Sequence, residues 1–350
     1  MFSAAKSASP VSDFPKGSNF AESDWHILAG FWHPVAYSHE IGDKPVGARL
    51  LDVNLVMFRT TEGLSVARDI CPHRGTRLSG GWIAGDQLVC PMHGLHFAAD
   101  GRCTRIPAMG DQQRIPARLR LQSYLVEERY GIVWTCLKPE PIRALPEWRG
   151  IGETELKKVF VPKDTWYAAA SRHVENFNDV AHFPWVHVAS FGGDREAAVP
   201  AYDVERTAAG LSFAFPYREG FNRFADGIPG SNRDVVYTYE LTYPFSTLIV
   251  IEPTDSPMRF YFADAASPVS AHETRIFQVL TDTSGNPDPA YWIRDSLVIN
   301  YEDKPMVEGQ RPEDLPLDLT VEMHIPADRM SLEYRRGLVE LFGLGAPIAS

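Results

Sequence analysis

Cysteine is scarce in this chain, four in 350 residues. That is too few for a disulfide framework and suits a reducing compartment where thiols pack or ligate. No run of about 18 apolar residues occurs, which excludes an ordinary membrane-spanning helix. Positive charge is short as well. Lys and Arg total 34 against 45 Asp and Glu, a formal net charge of −11, and that balance argues against nucleic acid as a partner. No glycine-rich dinucleotide fingerprint lies between a strand and a helix, so the chain is not expected to take hydride itself. Internal repeats and low-complexity tracts are absent too. The first twenty residues hold two scattered lysines and no apolar stretch of the signal-peptide kind. Residues 1–23 read as a disordered lead-in, and the protein as cytoplasmic.

What is present is an ordinary globular composition, 44% apolar and 23% charged, at a length that predicts two domains. Residues 24–138 carry short apolar or alternating runs. Turn signals at Thr61-Glu62-Gly63, Gly80-Gly81, Asp100-Gly101 and Tyr130-Gly131 separate them, the pattern of a small all-β domain. Pro139, Pro141 and Pro146 make residues 139–148 a linker. Residues 149–350 begin helix-like between Tyr167 and about Val188 and continue as five strands. A helix then starts at Asp288-Pro289, with Asp as N-cap and Pro at the first helical position, and runs past Tyr301. A last helix runs from Asp328 to Phe342 and stops at Gly343. This second part is α+β, an antiparallel sheet with helices on one side.

Chemistry concentrates first between Ile70 and Phe97. Cys71-x-His73 and, sixteen residues on, Cys90-x2-His93 each present one thiolate and one imidazole. Pro72 and Pro91 stiffen the two loops, and Gly75 and Gly94 allow sharp turns close to a bound group. Two sulfur and two nitrogen ligands suit a tetrahedral zinc or a [2Fe–2S] cluster. A zinc site of this composition ordinarily pairs like ligands, whereas a cluster with cysteines on one iron and histidines on the other needs one of each per loop. Cys103 and Cys136 remain, expected as buried thiols, although a disulfide between them is open. Between Val66 and Arg120 stand eight arginines, Arg74 and Arg77 among them, against four acids. They form either local ion pairs or a positive docking face for an acidic electron donor.

A second constellation follows the linker: Asn176-x2-Asp179-x2-His182-x4-His187. Asp179 and His182 share a face if the segment is helical. His187 reaches the same point as His182 only if Pro184 bends or ends that helix. Two converging imidazoles suit iron, zinc or copper.

The Cys-Pro-His-Arg-Gly and Cys-Pro-Met-His-Gly loops together with this second motif resemble the Rieske oxygenases, from about Trp25 to the last helix. The resemblance is nearest to vanillate O-demethylases and related aromatic or N-methyl demethylases. It implies an all-β Rieske domain and a helix-grip-like catalytic domain. Cys71, His73, Cys90 and His93 would hold a [2Fe–2S] cluster, and His182, His187 and a distant carboxylate a mononuclear iron(II). The match of Tyr301-Glu302-Asp303 to the family's C-terminal helix assigns Asp303 to that role, with Glu302 as the alternative. It implies that Asp179 bridges the cluster of one subunit to the iron of its neighbour, with Asn176 a pocket residue. It implies a homotrimer fed by an NAD(P)H-dependent flavin and iron–sulfur reductase or a ferredoxin, and a terminal oxygenase that uses O2 to hydroxylate or demethylate a small aromatic or heteroaromatic substrate. Ring dihydroxylation, hydroxylation of a non-aromatic ring and, outside enzymes, an electron carrier with a docking domain are the alternatives. Leu95 departs from the family, where many relatives have an aromatic residue, and this puts the packing around the cluster in question. Arg223, Arg233 and His272 are candidates for a substrate carboxylate, and residues 220–233 for a lid.

Overall fold

The computed structural model describes residues 13–110, 114–195, 198–221, 229–285 and 287–345. Helix α1 (Glu22–Leu28) opens the N-terminal part, where the sequence reads as β structure. Its buried Trp25 donates its indole N–H to Leu51 O at 2.7 Å, so an apolar face docked on the sheet outweighs local strand propensity. The lead-in shrinks correspondingly. Phe14 stands edge-on to Trp25, and Phe20 packs on the same core.

Beyond α1 a six-stranded antiparallel sheet runs in the spatial order His33–Tyr37, Ile132–Cys136, Ser123–Arg129, Gly63–Arg68, Val53–Thr60, Val46–Leu50. A four-stranded sheet, Trp82–Ala84, Gln87–Val89, His96–Phe97 and Cys103–Arg105, carries the Cys/His loops at one end. All four cysteines are free thiols and buried. The segment from Lys138 to Trp148 contains no helix or strand, yet it is docked: Ile142 N donates to Gly30 O at 2.7 Å and Trp148 is buried.

The second part is built on one long antiparallel sheet, in the order Val159–Phe160, Glu273–Asp282, Phe260–Ser270, Ser246–Pro253, Pro229–Thr242, Gly210–Phe221, Glu205–Arg206. Strand alternation divides its side chains. Phe213, Phe215, Tyr237, Tyr239, Ile249, Ile251, Phe260 and Phe262 face one core. Leu248, Val250, Tyr261, Ala263, Phe277 and Val279 face another, shared with Tyr37, Ile132, Trp134 and Trp148. Helices therefore cover one face, and the N-terminal sheet and the 138–148 segment cover the other.

Three helices matter for the site: α2 (Ala170–Phe177), α3 (Phe183–Val186) and α4 (Pro289–Gly309). Asp288 caps α4 by accepting from Ala290 N at 3.0 Å. The helix read between Tyr167 and Val188 is in fact interrupted. Between α2 and α3 the Asp179 carboxylate accepts from the backbone N–H groups of Ala181 (3.0 Å) and His182 (3.2 Å). An aspartate making these local bonds competes with helix continuation. Pro184 opens α3 instead of ending a longer helix, as suits a residue without an N–H. The final helix, α5 (Arg329–Phe342), ends at Gly343 with φ +74°, the left-handed cap glycine accepts most readily.

Candidate active site and metal centres

The two Cys/His loops share one backbone design. Cys71 N donates to Thr76 O and Gly75 N to Cys71 O; Cys90 N donates to Leu95 O and Gly94 N to Cys90 O, at 2.8–3.0 Å. Gly75 (φ +76°) and Gly94 (φ +67°) supply the left-handed turns. The sulfurs lie inside and the imidazoles outside: Cys71 and Cys90 are buried, His73 and His93 exposed with ring centroids 4.7 Å apart. Burial, with Cys90 alongside, pushes the Cys71 thiol up to about 11. Like donors stand together, Cys71 beside Cys90 and His73 beside His93, the grouping that a cluster with cysteines on one iron and histidines on the other would use. Leu95 is buried in the apolar cluster beneath the loops, so an aliphatic side chain fills the place expected for an aromatic.

Asp69 is the residue of this centre that spacing did not single out. It is buried and accepts from Leu78 N (2.6 Å), Ser79 N (2.8 Å) and Ser79 Oγ (2.6 Å), pinning the far end of the first loop. Of the arginines, Arg102 pairs with Asp100. Arg74 and Arg77 are exposed beside the loops and form no ion pair with a described residue.

The second centre sits where the break between α2 and α3 faces α4. His182 Nε2 and His187 Nε2 are 3.1 Å apart, and Asp303 Oδ1 lies 3.4 and 3.5 Å from them. Each histidine is held from behind. His182 Nδ1 is 2.8 Å from Asp179 Oδ2, and His187 Nδ1 is 3.1 Å from Glu302 Oε2. Carboxylates accept, so both Nδ1 atoms carry protons and both Nε2 atoms turn lone pairs toward each other. Two lone pairs and a carboxylate oxygen at these separations repel unless a cation lies among them. Asp303 Oδ1 is also buried without a hydrogen-bond partner, the mark of an oxygen kept for a ligand that is not a proton donor. The chemistry of the donor set thus fits a divalent metal. Burial opposes charge on His182, but the Asp179 and Asp303 carboxylates beside it prevail and raise its pKa to about 9. Burial works against the Asp303 carboxylate, yet His182, His187 and the Asn176 side chain hold it below the usual range.

Of the two adjacent acids, Asp303 reaches the convergence point. Glu302 instead accepts from Ala189 N (2.7 Å) and Ser190 Oγ (2.5 Å) while orienting His187. The turn after α3 is seated on the sheet through glycines. A Cβ on Gly220 would stand 1.9 Å from Gly192 O, and one on Gly192 2.5 Å from His187 O. Phe191 stacks on His187 at 4.5 Å. Neither contact has a signal in spacing.

A small cavity of ≈ 40 Å³ opens above these donors. Phe177, Ile249, Ile251, Phe262 and Ile299 form its walls, with Asn176, Tyr237 and Tyr239 as neutral polar groups. The other sheet aromatics named above are packing. Arg233 pairs with Asp255 (2.7 Å) and His272 with Asp314 (3.0 Å), both outside the cavity lining, so neither serves as the substrate clamp expected from sequence. Arg223 and the middle half of the expected lid, residues 222–228, lie outside the described residues; residues 220–221 and 229–233 belong to the strands Gly210–Phe221 and Pro229–Thr242.

Residues 31–124 match the model of the Rieske [2Fe–2S] domain, and residues 166–342 that of the vanillate O-demethylase oxygenase C-terminal domain. The chain belongs to the Rieske oxygenases. This oxygenase is 30% identical over 331 residues to methylxanthine N3-demethylase NdmB of Pseudomonas putida, covering 91% of this chain and 90% of that one. With methylxanthine N1-demethylase NdmA of the same organism it shares 27% over 321 residues, 90% of this chain and 89% of the other. The structure of NdmA with caffeine superposes with a TM-score of 0.81 at 26% identity, over 91% of this chain and 92% of that one. As a Rieske oxygenase the protein is an enzyme with a [2Fe–2S] cluster and a non-haem iron. It uses O2 and draws electrons from a partner reductase or ferredoxin. No helix among the described residues is long and apolar enough to cross a membrane.

Proposed function

We propose that this chain is the terminal oxygenase of a multicomponent monooxygenase that removes a methyl group from nitrogen of a planar, neutral heteroaromatic compound. One observation carries the reading: three convergent donors, His182, His187 and Asp303, lie at the floor of a cavity whose described lining is apolar with neutral amide and phenol groups. No Lys or Arg among the described residues lines it, so an uncharged ring is favoured over an aromatic acid. The two relatives aligned over about nine-tenths of the chain are N-demethylases by name, in line with this choice.

His182, His187 and Asp303 would hold the iron, and Cys71, His73, Cys90 and His93 the cluster. When bound, the iron supplies the activation of O2, for which two electrons and two protons are consumed per methyl hydroxylated. The hydroxymethyl product then loses formaldehyde by breaking its C–N bond. The residues of the chain hold everything else in place. Phe177, Phe262, Ile249 and Ile251 present apolar surface to the ring, while Asn176 offers hydrogen bonds to its heteroatoms; the Tyr237 hydroxyl donates to Glu219 at 2.6 Å. Asp179 and Glu302 keep the Nδ1 protons in place, which fixes both imidazoles as Nε2 ligands.

A head-to-tail homotrimer is the assembly proposed. Exposed large apolar side chains occur in both parts of the chain, Ile70, Trp82, Met92 and Met109 in the cluster domain and Trp185, Val188 and Tyr301 near the iron-site residues in sequence, and a heterologous ring would cover surfaces of this kind. In that ring Asp179 would face the neighbour's His73 or His93. Asp179→Asn should leave both metals bound yet slow turnover by about 10–100-fold; unchanged single-turnover reoxidation of the cluster would sink the bridge. Reduction through an NAD(P)H-dependent partner is in line with a cytoplasmic protein.

The test is direct. Purified protein should contain about three irons and two sulfides per chain, give a Rieske-type resonance on reduction, and release one formaldehyde per N-methyl group lost in O2-uptake assays with a reductase. Turnover of methoxylated aromatic acids but not of N-methyl heterocycles would overturn the substrate class.

A further inference from the structure

Four polar side chains are buried in the otherwise apolar layer between the sheet and helices α2 and α4: His173, Asp264, Gln278 and Asn300, exposed by 1%, 1%, 2% and 5%. They form a continuous chain of hydrogen bonds. His173 Nε2 lies 2.9 Å from Asp264 Oδ1; Gln278 Nε2 donates to Asp264 Oδ2 (3.0 Å) and to Asn300 Oδ1 (3.0 Å); Asn300 Nδ2 returns a bond to Gln278 Oε1 at 2.9 Å. The Gln278–Asn300 contact is thus a reciprocal amide pair. The chain begins on α2, crosses two neighbouring strands and ends on α4.

Its place along the helices gives it meaning. His173 lies three residues before Asn176 on α2, and Asn300 three residues before Asp303 on α4, so each shares a helix face with a residue of the iron site. One turn further on, Asn176 and Asp303 both line the cavity at the site. The two helices are therefore joined through the sheet by one polar rung, a turn away from the site. Asp303 Oδ1 itself has no hydrogen bond, so its position depends on where α4 lies and how it is rotated. Apolar packing against Phe262, Ile276 and Leu280 tolerates small slides and rotations, whereas a satisfied buried amide pair does not.

We infer that His173, Asp264, Gln278 and Asn300 are positioning residues that set the α2–α4 spacing and thereby aim Asp303 at His182 and His187. This rests on the reading of those three as the metal ligands and extends it to a group remote from the metal. A metal ion held by ligands from separate elements is sensitive to displacements well under 1 Å.

The test uses the whole holoenzyme and reads iron(II) affinity of the mononuclear site by chelator competition, with the cluster resonance as internal control. Asn300→Leu strands the Gln278 amide and should weaken iron(II) binding by about 10–100-fold with the cluster signal intact. The exchange Gln278→Asn with Asn300→Gln restores an amide pair and should recover most of that loss. If Asn300→Leu does not fold, Asn300→Ser, with room for a bridging water, takes its place and should show the same direction. Lowered thermal stability with unchanged iron(II) affinity in the folded protein would overturn the inference, as would failure of the exchange to recover affinity. If instead Asp303→Ala leaves the iron content of the parent protein unaltered, the ligand assignment itself fails, a different and separately visible outcome.

Discussion

Asp303→Ala should empty the mononuclear site and lower turnover by about 10³-fold or more, equivalent to ~4 kcal/mol of lost transition-state stabilisation, while the cluster remains. Iron content should fall from about three to about two per chain with sulfide unchanged. The argument is geometric. Asp303 Oδ1 is the only carboxylate oxygen among the described residues that converges with both Nε2 atoms. Without it, two imidazoles remain, too few to retain iron(II) against chelators. The neighbouring acid is the control. Glu302→Gln retains a carbonyl oxygen that accepts from His187 Nδ1, Ala189 N and Ser190 Oγ, so its effect should be smaller, about 10–100-fold. Equal losses for the two variants, or a larger one for Glu302→Gln, would reverse the assignment of roles.

Arg335→Ala should destabilise the fold by about 3–5 kcal/mol, the range for breaking a buried ion pair from one side. Arg335 is 3% exposed and grips both oxygens of Glu175, at 2.7 and 2.8 Å, and Glu322 at 2.6 Å. Arg172, equally buried, binds the other oxygen of Glu322 and the carbonyl of Pro312. These four charges fasten α2, α5 and the crossing between α4 and α5 together directly behind Asn176. Removing one guanidinium leaves Glu175, 11% exposed, with only the Arg172 guanidinium at 3.8 Å as a cationic partner. The midpoint of denaturant unfolding should fall with little change in slope. Replacing Arg335 and Glu175 together with Met and Leu should cost much less. If the single and double variants lose the same stability, the loss reflects packing and not charge.

Both candidate metal sites stood out in the sequence because their chemistry demands rare residues at short spacings. Cys71, His73, Cys90 and His93 need only two local loops, and the glycines and prolines that shape those loops lie inside the motifs. His182 and His187 are likewise local, although the reason they meet is an interrupted helix with Pro184 at the start of its second piece, not a kink in a continuous one. The strands from Gly210 to Asp282 and helices α4 and α5 followed from alternation, capping residues and Gly343. Helix α1 did not, because its apolar run fits either period and only docking of Trp25 decides between them.

The adjacent acids Glu302 and Asp303 mark the limit of such reading. Sequence by itself carried the candidate ligand types, and its resemblance to the Rieske oxygenases pointed to a carboxylate near residue 302. Which of the two neighbours faces the histidines depends on the rotation of α4 about its axis, and that angle is set by contacts with strands and helices distant in the chain. The same holds for Asp69, the glycine seat under His187, the Arg335 cluster and the Gln278–Asn300 pair. Each joins residues far apart in sequence, and the free energy that selects them exists only once the chain has folded.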